Sequence, residues 1–155
     1  MTMFSPEQFL DMQVTESNST ELIPIPIGDY LAIADKVEVK QWAKKDDPSV
    51  SGLKLQITWA IDDQAVKELL GRDKVTIRQD IMLDLTDGGT LDMGKGRNVG
   101  LGRLREAVDL NIPGQAFSFT MIPGRMAKVS VKQRLDDKVT PPAIYSEVGG
   151  VAKVA

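Results

Sequence analysis

The segment LDMGKGRNVGLGRLREAVDLN, residues 91–111, is the first candidate for chemistry because its glycines stand at positions 94, 96, 100 and 102. Glycine-rich loops that open a helix can cradle a phosphate, since backbone N–H groups point at the anion there. The segment does not match a P-loop, in which a Lys-Ser or Lys-Thr pair follows the last glycine. It also lacks the βαβ context and the acidic residue of a dinucleotide fingerprint.

We therefore predict that this segment is a structural hinge between a strand and a helix. Asn98 is expected to cap the helix, and Gly100 and Gly102 to let it pack closely against a sheet. A phosphate contact by Lys95 and Arg97 at the helix N-terminus is the second interpretation, because backbone amides at that end favour anions. The sequence predicts no cofactor.

Positive charge on the outer faces of predicted strands is the more informative signal. Period-two patterns place on the outer faces of three strands Lys54, Lys74, Arg78, Lys128, Lys132 and Arg134. The end of the first strand and the loop after it add Lys40, Lys44 and Lys45. Trp42 and Tyr30 share the outward parity and are the predicted stacking residues, whereas Trp59 is predicted to be core. A cationic groove with a stacking aromatic is what non-specific binding of single strands requires.

A solvated outer face is the alternative explanation of these charges, because outward strand positions in soluble proteins are commonly charged. Glu38, Asp80 and Asp84 share the outward parity and reduce the positive potential. The sequence leaves a binding groove and a solvated face both open.

Composition excludes several classes of enzyme. The 155 residues contain no cysteine and no histidine, so thiol nucleophiles, histidine bases and nearly all zinc sites are excluded. The net charge of −3 gives no global attraction to nucleic acid, so such binding must use a local basic face.

Acidic pairs are the third signal. They occur at Asp46–Asp47, Asp62–Asp63 and Asp136–Asp137, all in predicted loops where turn formation explains them. A magnesium-dependent nuclease would need acids that converge from different elements, and the sequence shows no such set. We predict no metal site and no enzymatic activity.

Five strands and one helix follow an N-terminal arm. Residues 1–27 form the predicted arm, in which Ser5 and Pro6 open a short helix and the prolines of LIPIPIG favour extended chain. The arm is expected either to pack on its own domain or to reach a neighbouring subunit. Residues 28–155 read as three strands, a helix and two strands, the element order of a five-stranded OB-like Greek-key barrel.

Four stretches resemble a family of small tailed-phage proteins without assigned activity, whose genes often lie near replication and recombination genes. These stretches are GDYLAIADKVEVK, GRDKVTIRQDIMLDLT, LDMGKGRNVGLGRLREAVDLN and IPGRMAKVSVKQR, and the resemblance covers about residues 28–148. It implies an OB-like domain and, by gene neighbourhood alone, a role around single-stranded DNA. The chain ends in GGVAKVA, without the acidic tail by which many single-strand binders recruit partners.

The sequence thus predicts a phage single-stranded DNA-binding protein of OB-fold type. We expect low sequence specificity, an accessory role in replication or recombination, and a homo-oligomer in the host cytoplasm. The segment MTMFSPEQFLDM lacks the basic start and apolar core of a signal peptide, so no membrane partner is expected. The alternative is a virion structural or decoration protein with a β-barrel and an interlocking N-terminal arm. Either function would also allow contacts with other replication or virion proteins of the phage.

Overall fold

The computed structural model describes residues 5–154, which contain one antiparallel sheet and a few short helices. In chain order the elements are α1 (Pro6–Leu10), β1 (Gly28–Ala43), β2 (Ser51–Ile61), α2 (Gln64–Leu70), β3 (Thr76–Met82), α3 (Val99–Ala107), a 3-10 turn (Phe119–Met121), β4 (Met126–Asp136) and β5 (Ala143–Ala152). The predicted mainly β class is confirmed. So is the main helix between the third and fourth strands. A further short helix, α2, connects β2 to β3 and ends at Gly71.

The strands lie in the order β3-β2-β1-β4-β5, and every neighbouring pair is antiparallel. Because β4 returns beside β1 after a long connection through α3, the first four strands form a Greek key. The edge strands β3 and β5 approach each other to within 8 Å between Cα atoms. No β-ladder joins them in the part of the chain that the structure describes. The sheet is therefore open, in contrast to the barrel that the sequence predicted.

The arm, described here from residue 5, lies against the opening between the two edge strands. Ile25 is buried; its N–H donates to Ser146 Oγ (2.7 Å), and its carbonyl accepts from Gln133 Nε2 (3.0 Å). The residues just before Ile25 line the same surface groove as residues 75–78, at the start of β3. The arm therefore covers part of the opening between β3 and β5. The end of the arm thus packs on its own domain, while residues 1–4 lie outside the described residues.

A bulge in β1 inverts the face of its side chains and corrects one prediction. The pairing with β2 shifts register between Ala34 and Lys36, which makes Asp35 an extra residue. Before the bulge Ala32 is fully buried and Ile33 is exposed, opposite to the predicted parity. After the bulge the predicted parity holds. One extra residue turns every later side chain to the other face, and the continuous alternation of the sequence hides it.

The core lies on the inner face of the sheet and is covered at one end by α3. Trp59 is fully buried, as predicted, and its Nε1–H donates to Gln79 Oε1 at 2.9 Å. The helix contributes its buried residues Leu101, Leu104 and Ala107. Burying an apolar side chain of this size contributes about 1.5–3 kcal/mol, so β2 and α3 together carry much of the folding free energy.

Candidate nucleic-acid interface

A groove of about 640 Å³ lies in the opening between β3 and β5. We call it the β3–β5 groove, and its charged and aromatic side chains are Arg78, Asp80, Lys132, Arg134, Tyr145 and Glu147. The curvature of the sheet brings them together from β3, β4 and β5. Three of the cations that the sequence singled out therefore share one concave surface, with two carboxylates and one aromatic ring.

Glu147 neutralises part of this groove. Its carboxylate accepts from Arg134 Nε at 2.5 Å and lies 3.9 Å from Lys132 Nζ. Both cations keep more than half of their side-chain surface exposed. The guanidinium of Arg134 also lies over the ring of Tyr145, 5.4 Å from its centroid. A phosphate entering the groove thus meets cations that are accessible but already paired.

Asp80 neutralises the other wall of the groove. It accepts from Gln56 Nε2 (3.0 Å) and Lys54 Nζ (3.1 Å), and it lies 3.6 Å from Arg78 Nε. Burial raises the pKa of Asp80, but the hydrogen bonds from Gln56 and Lys54 and the charges of Lys54 and Arg78 outweigh burial and hold the pKa below its ordinary value. Asp80 is therefore ionised at neutral pH and fixes both cations in place.

The far end of the β1–β2 hairpin carries the predicted aromatic. Trp42 lies on the outer face, as predicted, and its indole covers Gly52 on β2, where a Cβ would stand 3.0 Å from the ring. The Trp42 Nε1–H is buried and has no hydrogen-bond partner among the described residues. One face of the indole is thus occupied by the sheet, which leaves the opposite face for contact.

The lysines around Trp42 divide into paired and unpaired ones. Lys40 lies opposite Lys54 on the outer face and is 3.7 Å from Glu38, which also pairs with Lys36. The Lys36 hydrogen bond, against a smaller effect of burial, lowers the pKa of Glu38. In residues 5–154 no ion pair involves Lys44 or Lys45, which follow β1 in the loop.

Tyr30 does not belong to the outer face. It precedes the β1 bulge, lies opposite the buried Val129 and packs against the core. Its hydroxyl donates to the carbonyl of Pro26 at 2.7 Å. Burial, with the nearby charge of Asp63, raises the pKa of Tyr30. The prediction that Tyr30 lies on the outer face is wrong, because the bulge in β1 reverses its parity.

The remaining predicted cations lie away from the groove. Lys74 precedes β3 and forms an ion pair with Asp35 at 2.8 Å. Lys128 is exposed on the outer face of β4, between Leu31 and Ala152 of the flanking strands. These positions separate Lys74 and Lys128 from the lining of the β3–β5 groove.

The glycine segment is a tether between β3 and α3. Asn98, with φ of 51°, does not cap the helix with its side chain, which corrects that prediction. Instead its Oδ1 accepts from Asp84 N and its Nδ2 donates to the carbonyls of Asp84 and Asp92. The side chain thus fixes the loop to the end of β3. This tethering supports the hinge interpretation.

The cations and glycines of the same segment lie away from the groove or within α3. Arg97 Nε lies 3.7 Å from Asp92, and neither Arg97 nor Lys95 lines the β3–β5 groove. A Cβ at Gly100 would contact Ile81 at 3.4 Å, whereas one at Gly102 would meet open space. Close helix packing therefore explains Gly100 and not Gly102.

Tyr145 is the residue that sequence reasoning missed. It lies opposite Arg134 in the β4–β5 ladder, on the groove side of β5. The signal was the alternation of the stretch AIYSEV, which places Tyr145 and Glu147 on one face. Gly149 and Gly150 follow this stretch, and the pairing of β5 with β4 shifts register there, between Ser130 and Val131 of β4.

Comparisons with known proteins add no family to this description. No family model matches the chain, and no curated protein matches it. The resemblance to small tailed-phage proteins therefore stays a prediction. Among residues 5–154 no helix is long and apolar enough to cross a membrane, and no three acidic side chains converge as metal ligands would.

Proposed function

We propose that this protein binds single-stranded DNA with low sequence specificity, as a non-enzymatic accessory to phage replication or recombination. The observation that carries the proposal is the β3–β5 groove, in which Arg78, Lys132, Arg134 and Tyr145 converge from three strands. Cations for the backbone and an aromatic face for a base are the two contacts that such binding uses.

The fold supports the proposal. The order β3-β2-β1-β4-β5, with α3 between β3 and β4, is that of an OB-type Greek-key barrel opened between β3 and β5. OB folds bind oligonucleotides on the face of their second and third strands and in the adjacent loops. Lys54 and Arg78 lie on that face here, and the loop after β1 supplies Lys44 and Lys45. A strand entering the groove can therefore continue over β2 towards Trp42.

A titration of labelled oligo-dT, followed by fluorescence anisotropy at two salt concentrations, tests the proposal. Three groove cations that each contact a phosphate give a salt slope of about −2, because each phosphate on a single strand contributes about 0.7. We expect binding that prefers the single strand over the duplex and weakens with salt. No binding at low salt would contradict the proposal.

A charge-matched pair of variants locates the binding surface. Lys132→Gln combined with Arg134→Gln removes two groove cations and flattens the slope by about 1.4. Lys67→Gln combined with Arg103→Gln removes the same charge from α2 and α3, outside the groove lining, and leaves the slope unchanged. Equal losses in both variants would mean that the DNA contacts lie elsewhere.

A virion structural or decoration protein is the second candidate, and the arm favours it. Large apolar side chains before Ile25 are exposed, notably Leu10, Val14 and Leu22. An arm of this kind can lock onto a neighbouring subunit. This candidate predicts stable association with virus particles and no salt-dependent DNA affinity, so the same titration separates it from the first.

A further inference from the structure

The outer half of β1 has an unpaired edge. The Lys44 N–H donates to the Val50 carbonyl at 2.9 Å, which fixes the alternation of hydrogen-bonded pairs along the β1–β2 hairpin. By that alternation Val37, Val39 and Gln41 point their N–H and C=O groups away from β2. β4 pairs with β1 only at Gly28–Ile33. In residues 5–154 no other segment donates or accepts a backbone hydrogen bond at those three residues.

An apolar groove runs beside this edge, on the inner face of the sheet. Its volume is about 640 Å³, and it is lined by Val37, Val39, Leu91, Phe117, Ser118, Phe119, Thr120 and Pro123. We call it the β1 groove. The rings of Phe117 and Phe119 meet edge to face with 5.7 Å between centroids, and the Arg105 guanidinium covers Phe117 at 4.2 Å. An unpaired edge beside an apolar groove is the arrangement that accepts an added β-strand.

The arm of the chain has the complementary properties. Met12 and Val14 are more than half exposed. In an added β-strand they would share one side, and Gln13 and Thr15 would share the other. The first basic residue of the sequence is Lys36, and the arm contains only acidic charges. Residues 36–45, at the β1 edge, contain four lysines and one glutamate. The arm is thus apolar on one side and acidic, and the edge is apolar and basic.

We propose that the Met12–Glu16 segment of a second copy of this chain adds to the free edge of β1. Val37, Val39 and Gln41 supply the backbone donors and acceptors, and Met12 and Val14 of the second copy enter the β1 groove beside Phe117 and Phe119. Exchange in both directions gives a closed dimer in which each arm is covered. The inference does not rest on DNA binding.

The position of the arm within its own chain indicates that the segment in the β1 groove comes from a second copy. Within one chain the arm is anchored at Ile25 between β3 and β5, and no arm residue lines the β1 groove. Direct pairing of two β1 edges would satisfy the backbone but would leave Met12 and Val14 in water. Arm exchange covers the edge, the groove and the arm together, and it brings opposite charges into contact.

Sedimentation velocity on the full chain provides the first test, with variants matched by exposure. Val39 and Val50 are 45% and 43% exposed, and only Val39 lines the groove. We expect Val39→Lys to raise the dimer dissociation constant about tenfold or more, since it places a charge in an apolar contact, and Val50→Lys to leave it unchanged. A monomeric wild-type chain, or equal effects of the two variants, would overturn the proposal. The unfolding midpoint of each variant shows that it is folded.

Paramagnetic relaxation on the otherwise unaltered chain provides the second test. Because the sequence has no cysteine, Gln13→Cys gives a single attachment point for a nitroxide and leaves Met12 and Val14 unaltered. The labelled chain is mixed with ¹⁵N-labelled wild-type chain, so that only contacts between copies broaden the ¹⁵N signals. We expect broadening at the amides of Val37–Ala43 and of Phe117 and Phe119. Broadening centred on another surface would point to a different dimer, and an absence of broadening would refute arm exchange. Oligo-dT titration in parallel reports on the DNA site separately.

Discussion

Replacing Glu147 with glutamine should strengthen DNA binding if the β3–β5 groove is the binding surface. Glu147 pairs with both Arg134 and Lys132, and it occupies the position where a phosphate would meet them. The amide of glutamine keeps the size of the side chain and removes its charge. The variant therefore frees two cations and removes a negative charge from the path of the strand.

The magnitude follows from Coulomb's law. A carboxylate about 6 Å from a phosphate in water repels it by about 0.7 kcal/mol, since the energy is about 332/(εr) with ε near 80. That energy corresponds to about a threefold lower Kd. The salt slope should stay at about −2, because Lys132 and Arg134 are already counted among the three cations that contact a phosphate.

The assay is the oligo-dT titration at about 50 and 200 mM salt, a range over which phosphate contacts change affinity strongly. Glu106→Gln is the matched control because it makes the same change in net charge on the exposed side of α3. We expect tighter binding with an unchanged salt slope for Glu147→Gln alone. The same gain in both variants would refute the reasoning, since it would show an effect of net charge only. Weaker binding by Glu147→Gln would show that the carboxylate orients the cations rather than blocking them.

Four further predictions concern stability and local packing. Because the pKa of Asp80 lies below its ordinary value of 3.8, its ionised form stabilises the fold above that pH, and this stabilisation is lost as the pH falls through the lowered pKa. Asp80→Asn should therefore lower the free energy of unfolding by about 1 kcal/mol at pH 7 and by less in acid, as measured by urea unfolding. Ser146→Ala leaves the buried arm amide unpaired, which costs about 1–3 kcal/mol and should speed proteolysis before residue 25. Gly102→Ala should raise the free energy of unfolding by about 1 kcal/mol, because the added Cβ meets open space within a helix. Gly52→Ala should displace the indole of Trp42 and shift its fluorescence.

The elements of the fold were predictable because each has a local signal. Strands β2 and β4 alternate without interruption, and Gly71 ends α2 in the left-handed conformation that favours glycine. The inward face of β1 was not predictable in its first half. Residues 31–39 alternate smoothly in sequence, and the extra residue Asp35 is defined only by the pairing with β2. Tyr30 was misplaced for that reason alone.

The types of residue in the β3–β5 groove were predictable from the sequence, but which of the predicted cations meet there was not. Parity identified Arg78, Lys132 and Arg134 as outward on separate strands, but only the curvature of the sheet brings β3 near β5. How far each cation is neutralised could not be predicted, because the pairing of Lys132 with Glu147 depends on cross-strand register. The position of Ile25 at this opening was not predictable either, because the composition of the arm does not show where the arm packs.

The ion pairs of the groove decide how a nucleic acid would be held there. Arg78 and Arg134 lie on opposite sides of the opening, each beside a carboxylate that a phosphate must displace as a partner. Exchange of one anionic partner for another contributes less free energy than pairing with a bare cation, so contacts of this kind favour weak, rapidly reversed binding that salt suppresses. Affinity must then come from the aromatic faces of Tyr145 and Trp42, or from several copies acting on one strand. Arm exchange at β1 would supply the second of these, since two grooves in one dimer bind a long strand more tightly than either does alone.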